Sequence, residues 1–74
     1  MKITVKLFAS FRADRFDIET GDYPEGTTVG DVADSLKLPR SELGIMMINN
    51  RHVKLDHLLV DGDTLALFPL LGGG

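Results

Sequence analysis

Apolar and polar residues alternate at the start of the chain. Ile3, Val5 and Leu7 fall on one side, and Lys2, Thr4 and Lys6 on the other. A period of two marks a strand with one buried face. By the same parity Phe8 joins the polar side, where it is either a strand-end ring folded back on the core or a contact for a partner. Ala9 to Asp14 reads as a connecting turn. Alternation resumes from Arg15 to Thr20, with Phe16 and Ile18 inward and Arg15, Asp17 and Glu19 outward. Two strands this close in sequence pair as an antiparallel hairpin.

Gly21 to Gly26 is rich in turn formers and reads as a loop. At Thr28 the period changes. Val29, Val32, Ala33 and Leu36 are spaced i, i+3, i+4, i+7, one apolar face of a helix. Thr28 is a good N-cap, and Asp31 three residues on completes a capping-box pattern. Lys37 suits the C-terminal end of the helix dipole, and Pro39 stops continuation. About ten residues are available, too few for a lone helix, so this one needs a sheet to pack on. Ile45 to Ile48 is a short apolar strand with Met46 and Ile48 inward. Asn49-Asn50-Arg51 is a tight turn leading into Val53, because Asn tolerates positive φ. Asp61-Gly62-Asp63 is another turn, feeding a last strand, Thr64 to Phe68, with pairing expected to end at Pro69.

The order is β-β-α-β-β-β. The economical arrangement is an α+β fold: a mixed sheet of four or five strands with one helix on one face, a β-grasp (ubiquitin-like) roll. First and last strands lie side by side in its centre. Residues 1–69 form this domain, and residues 70–74 a flexible C-terminal glycine tail.

Composition narrows the function. At 74 residues and 43% hydrophobic content the chain is one folded domain. It has no cysteine, which excludes disulfides, thiolate metal sites and a cysteine nucleophile. The formal charge is −3 and no basic patch is present, so nucleic acid is not an expected partner. No apolar run approaches the roughly 20 residues of a membrane helix. The alternating start is a strand and not a signal peptide, so the expected location is cytoplasmic.

The chemistry is expected at the end of the chain. Gly72-Gly73-Gly74 follow Phe68, Pro69, Leu70 and Leu71. Three glycines favour a mobile, extended segment with no side chains, able to enter a narrow channel and present a carboxylate. Leu70 to Gly74 spans about 17 Å when extended. An α-carboxylate has a pKa of about 3.5 and is a poor electrophile until it is activated.

These residues resemble the MoaD/ThiS family of ubiquitin-like sulfur carriers, most of all its molybdopterin-synthase small subunits. The resemblance runs nearly end to end. It rests on Val5-Lys6-Leu7-Phe8-Ala9 followed by Arg12, on Thr28-Val29-Gly30-Asp31, on Ile48-Asn49, on Asp61-Gly62-Asp63, and on Phe68-Pro69-Leu70-Leu71-Gly72-Gly73-Gly74. Small subunits of the family typically end in Phe-Pro-Pro, two small or apolar residues and Gly-Gly. Here Leu70 stands for the second proline and Gly72 precedes the final pair.

The resemblance implies that an E1-like adenylating enzyme activates the Gly74 carboxylate with ATP and magnesium. A sulfur-donating enzyme then supplies the sulfur of a thiocarboxylate, which is delivered within a synthase large subunit. No cofactor is bound by the chain itself, and the catalytic side chains belong to its partners. Gly74 and Gly73 are the reacting end. Phe8, Met47, Phe68, Pro69, Leu70, Leu71 and Gly72 are the implied partner contacts. Where small subunits often carry an apolar residue two after the turn asparagine, this chain has His52.

Rival readings remain open: a thiamin-type sulfur carrier, a ubiquitin-like protein modifier joined to lysines through the same terminus, and a plain protein-binding module. Other constellations are weaker. His52 and His57 lack the further ligands of a metal site, so none is expected. Asp61 and Asp63 lack the spaced ligands of a calcium loop. No nucleophilic triad is legible around Ser10, Ser35 or Ser41.

Overall fold

A computed structural model describes residues 1–70. The first alternating segment is strand β1 (Lys2–Leu7), and it carries the two-fold period into space. Ile3, Val5 and Leu7 are buried while Lys2 and Lys6 are exposed. After Phe8 the backbone turns sharply, with Ala9 at φ 54°, into a 3₁₀ turn over Ala9–Arg12. That turn is more than a connection: Phe11 is buried in the core.

Strand β2 is Ile18–Asp22, not the expected Arg15–Thr20, and its phase differs too. Lys6 pairs with Ile18, Val5 with Glu19 and Ile3 with Gly21. Ile18 therefore stands beside Lys6 on the face away from the core, and it is 57% exposed. The chain uses residues 13–17 to return from the 3₁₀ turn. Phe16 packs against the core from that return, outside any strand. Gly21, expected in a loop, takes a core-side strand position next to the Tyr23 ring.

Helix α1 (Val29–Ser35) has seven residues, fewer than the pattern suggested. Both capping-box bonds are made: Asp31 N–H donates to Thr28 Oγ1 at 3.1 Å, and Thr28 N–H to Asp31 Oδ2 at 3.0 Å. Two further first-turn donors are satisfied by the 55–57 loop, Val29 N–H by the His57 carbonyl and Gly30 N–H by that of Leu55. Leu36 caps the end, and Lys37 at φ 60° turns the chain before Pro39 is reached. Val29, Val32 and Ala33 are fully buried against the sheet, and packing holds this short helix.

A second 3₁₀ turn (Arg40–Glu42) leads into β3 (Leu43–Ile48), two residues longer at its start than expected. Asn49 and Asn50 alone form the tight turn, at φ 50° and 68°, so Arg51 begins the two-residue β4 (Arg51–His52). The last strand, β5 (Thr64–Pro69), includes the proline. Leu43 pairs with Pro69, and Leu70 N–H donates to the Glu42 carbonyl at 2.9 Å. A proline that cannot donate is tolerated there, and the next residue resumes bonding.

The five strands lie in the order β2-β1-β5-β3-β4, with β1 and β5 parallel and central and the other pairs antiparallel. This is the β-grasp roll. One face meets α1 through Ile3, Val5, Leu7, Ile48, Leu65 and Leu67. Among the described residues no helix covers the other face. The flexible tail expected at 70–74 lies, from Leu71 onward, outside the described residues, and so do the site candidates Leu71, Gly72, Gly73 and Gly74.

Candidate functional site: the open face at the end of β5

Alternation in β1 and β5 builds the uncovered face. In β5, Leu65 and Leu67 are buried under α1, which leaves Thr64, Ala66 and Phe68 on the opposite side. Thr4 pairs with Thr64 and Lys6 with Ala66, and Phe8 N–H donates to the Leu67 carbonyl at 3.2 Å. Phe8 and Phe68 are thereby neighbours. Their rings stack with centroids 4.1 Å apart and planes 10° from parallel. Both are half-buried. The next strand follows the same phase. Met47 pairs with Ala66 and Ile45 with Phe68, while Met46 and Ile48 turn to the core.

The result is a shallow concavity of about 310 Å³, lined by Lys6, Phe8, Met47, Ala66 and Phe68 with Thr64, Asn49 and Asn50. Phe8, Met47 and Phe68, expected as partner contacts, are brought onto one surface. Pro69, expected with them, is buried in β5, and Leu70 beyond it is exposed.

Polarity is graded along this face. At the Lys2 end, Thr4 and Thr20 hydroxyls lie 2.8 Å apart, and the Lys2 ammonium contacts the Asp22 carboxylate at 2.9 Å. The hydrogen bond with Asp22, and then its charge, raises the Lys2 pKa above the ordinary value. The same bond and charge lower that of Asp22. At the other end, where the chain leaves β5, the surface is aromatic and aliphatic. Arg12 frames it, its guanidinium carbon 5.4 Å from the Phe8 ring centroid. Arg12 is fixed by a 2.8 Å bond from Nε to the Leu7 carbonyl and lies 3.5 Å from the Asp17 carboxylate. A held guanidinium over a ring is a cation–π contact that stiffens the rim.

Three residues border this face without a local signal: Arg12 stands only in a motif, the alternation puts Ile18 inward, and Ile45 has no assigned side. Parity carried through β3 from Met47 would have put Ile45 here. The others depend on register between distant segments.

Among the described residues no group of three or more His, Asp or Glu side chains is placed to hold a metal, and no helix is long and apolar enough to cross a membrane. An apolar patch with a cationic rim, at the point where the chain exits, is suited to docking.

The family model described as the ThiS family matches residues 5–74. Among solved structures, the chain is 32% identical to molybdopterin converting factor, subunit 1 from Pyrococcus furiosus, covering 96% of this chain and 99% of that one with a TM-score of 0.75. It is 27% identical to SAMP1 from Haloferax volcanii over the whole of both chains, with a TM-score of 0.78. At 19% identity and a TM-score of 0.67 it shares its fold with a chain in the complex of subunits 1 and 2 of molybdopterin-converting factor from Helicobacter pylori 26695. No curated protein sequence matches it.

Proposed function

This chain belongs to the ThiS family, the ubiquitin-fold sulfur carriers and modifiers, and we propose that it is a sulfur carrier of the molybdopterin-synthase type whose reacting group is the Gly74 carboxylate. The observation that carries this reading is the stacked Phe8–Phe68 pair beside the exit of β5. It supplies an apolar seat for a partner at the base of the segment that would enter the partner's active site. The 32% identity to a molybdopterin converting factor subunit 1 supports the same choice over a thiamin-type carrier.

In this reading one Gly74 carboxylate oxygen attacks the α-phosphorus of ATP in an E1-like enzyme, and pyrophosphate leaves. A sulfur nucleophile from a sulfur-donating enzyme then displaces AMP at the acyl carbon. The thiocarboxylate is delivered in a synthase large subunit, as subunit 2 accompanies subunit 1 in the Helicobacter pylori complex. ATP and magnesium stay with the activating enzyme. A cytoplasmic setting fits, since ATP is there and the chain has no cysteine to oxidise.

The likeness to SAMP1 supports a second reading, a protein modifier joined to lysine amines through the same activated terminus. Pyrophosphate exchange with the activating enzyme tests what both share. Deleting Gly74, or changing Gly73→Val, is expected to abolish exchange while the domain melts as before. Normal exchange in both variants would end the reading. Incubation with ATP and cell extract then separates the two: a modifier gives higher-mass adducts, a carrier none.

A further inference from the structure

The end of β5 is gripped in a way that alternation does not require. Leu43 pairs with Pro69 and Ile45 with Phe68, so Gly44 is an extra residue bulged out of the β3 ladder. A Cβ on Gly44 would lie 2.7 Å from the Pro69 carbonyl oxygen, 2.9 Å from its carbonyl carbon and 3.0 Å from Leu70 Cα. All three are backbone atoms of the exit, with no side-chain end free to swing away. The positive-φ glycines of the described chain are Gly26 and Gly62, so Gly44 is needed for closeness and not for its conformation.

That closeness serves one bond. Leu70 N–H, the last described donor, reaches the Glu42 carbonyl at 2.9 Å. Glu42 is itself held, because its N–H donates to the Pro39 carbonyl at 2.9 Å in the 3₁₀ turn. The turn is tied to α1 by Arg40, whose Nη2 and Nε meet the two Asp34 oxygens at 2.9 and 3.1 Å. A line of fixed contacts thus runs from the helix through Arg40 and Glu42 to Leu70.

We propose that Gly44 and the Glu42 carbonyl form a clamp that sets the direction in which the chain leaves Leu70, making Gly44 a positioning residue for the terminal carboxylate. This rests on the sulfur-carrier reading. Four residues beyond Leu70 span at most about 14 Å, so the direction of exit limits which part of a docked enzyme the carboxylate can reach. Misplacement of a reacting group by about 1 Å can cost up to about a hundredfold in rate. An alanine at 44 must push the Pro69–Leu70 backbone away from β3 and weaken the Leu70 bond, while Phe8 and the β1–β5 pairing, which Gly44 does not approach, keep their places.

Amide exchange on the full chain and steady-state kinetics with its own activating enzyme test the clamp. In the unaltered protein the Leu70 amide is expected to exchange at least about tenfold more slowly than in a free peptide. In Gly44→Ala that protection is lost while the β1 and β5 amides stay protected. In pyrophosphate exchange, kcat falls roughly tenfold to a hundredfold and KM stays within about twofold. A merely structural glycine would lower the melting temperature and leave kcat of the folded protein unchanged. Wild-type kcat in folded Gly44→Ala overturns the clamp, as does a Leu70 amide in the unaltered chain that exchanges like a free peptide. The second result needs no variant to fold. Deleting Gly74 in the same assay separates the claims: full exchange without Gly74 removes the carrier reading and the clamp together, whereas lost exchange without Gly74 and normal kcat in Gly44→Ala removes the clamp alone.

Discussion

The two faces of one sheet are made from alternate residues of the same strands, and they do different work. On the covered face Leu7, Leu65 and Leu67 are fully buried under α1. On the open face, one residue away along the same strands, Phe8 and Phe68 are half-buried and stack on each other. The covered face is satisfied within the chain. The open face holds large apolar groups that no other described element covers. Hydrophobic side chains stabilise a domain only where something packs over them, so rings left on the unpacked face are free to serve association. The difference teaches where to divide stability from function: between neighbouring residues, and not between regions of sequence.

Substitutions one residue apart test that division most severely. Leu67→Ala should cost about 2–5 kcal/mol through lost burial and the cavity left behind. For a domain of this size, whose core supplies only about 3–5 kcal/mol net, urea titration should find it largely unfolded. Phe68→Ala should stay folded, losing the roughly 0.5–1.5 kcal/mol of the stacked pair together with the area of a half-buried ring, which is less than Leu67→Ala loses. Its affinity for the activating enzyme should drop by about tenfold or more, as for an aromatic anchor at an interface. Equal destabilisation by the two changes, with no separate loss of binding, would erase the distinction between the faces.

Smaller effects sharpen it. Thr28→Ala removes one side of the capping box and should cost about 1 kcal/mol by thermal or urea melts, with partner affinity unchanged, because α1 belongs wholly to the covered face. The smallest effect is acid dependence. The hydrogen bond from Arg40 holds the Asp34 pKa below its ordinary value, and the bond from Lys2 does the same for Asp22. A carboxyl lowered by folding stabilises the native state above its unfolded pKa, about 3.9, and loses that contribution as pH falls through the folded value. Asp34→Asn should therefore melt slightly lower than the parent at pH 7, with the gap narrowing towards pH 3. A gap that widens in acid would contradict the assignment. Lys2 and Arg40 are raised by the same pairs, so their share fades only in strong base.

Much of the fold was legible because its signals are local. Period two gave β1, the Thr28–Asp31 pair gave the start of α1, and the two asparagines gave a turn that needs positive φ. Parity along single strands put Phe8 on the polar side of β1 and Met46 and Ile48 inward in β3, whereas the contact at Phe68 was what the family resemblance implied. What was not legible depends on contacts between distant residues. Ile18 faces outward because Lys6 fixes its register. Phe11 enters the core because the 3₁₀ turn folds it under the sheet. Pro69 stays in the ladder because the Gly44 bulge brings β3 against it. The Phe8–Phe68 stack and the Arg12 rim likewise needed the β1–β5 pairing before they had a shape.

The central claim is that the Gly44-clamped, aromatic-seated end of this domain exists to present the Gly74 carboxylate for sulfur loading. The intact mass of the chain, produced together with its activating and sulfur-donating enzymes, tests this most directly. The expected species is heavier by the difference between one sulfur and one oxygen, and is absent when Gly74 is deleted. An unchanged mass, with the activating enzyme shown to be active in the same cells, would contradict it.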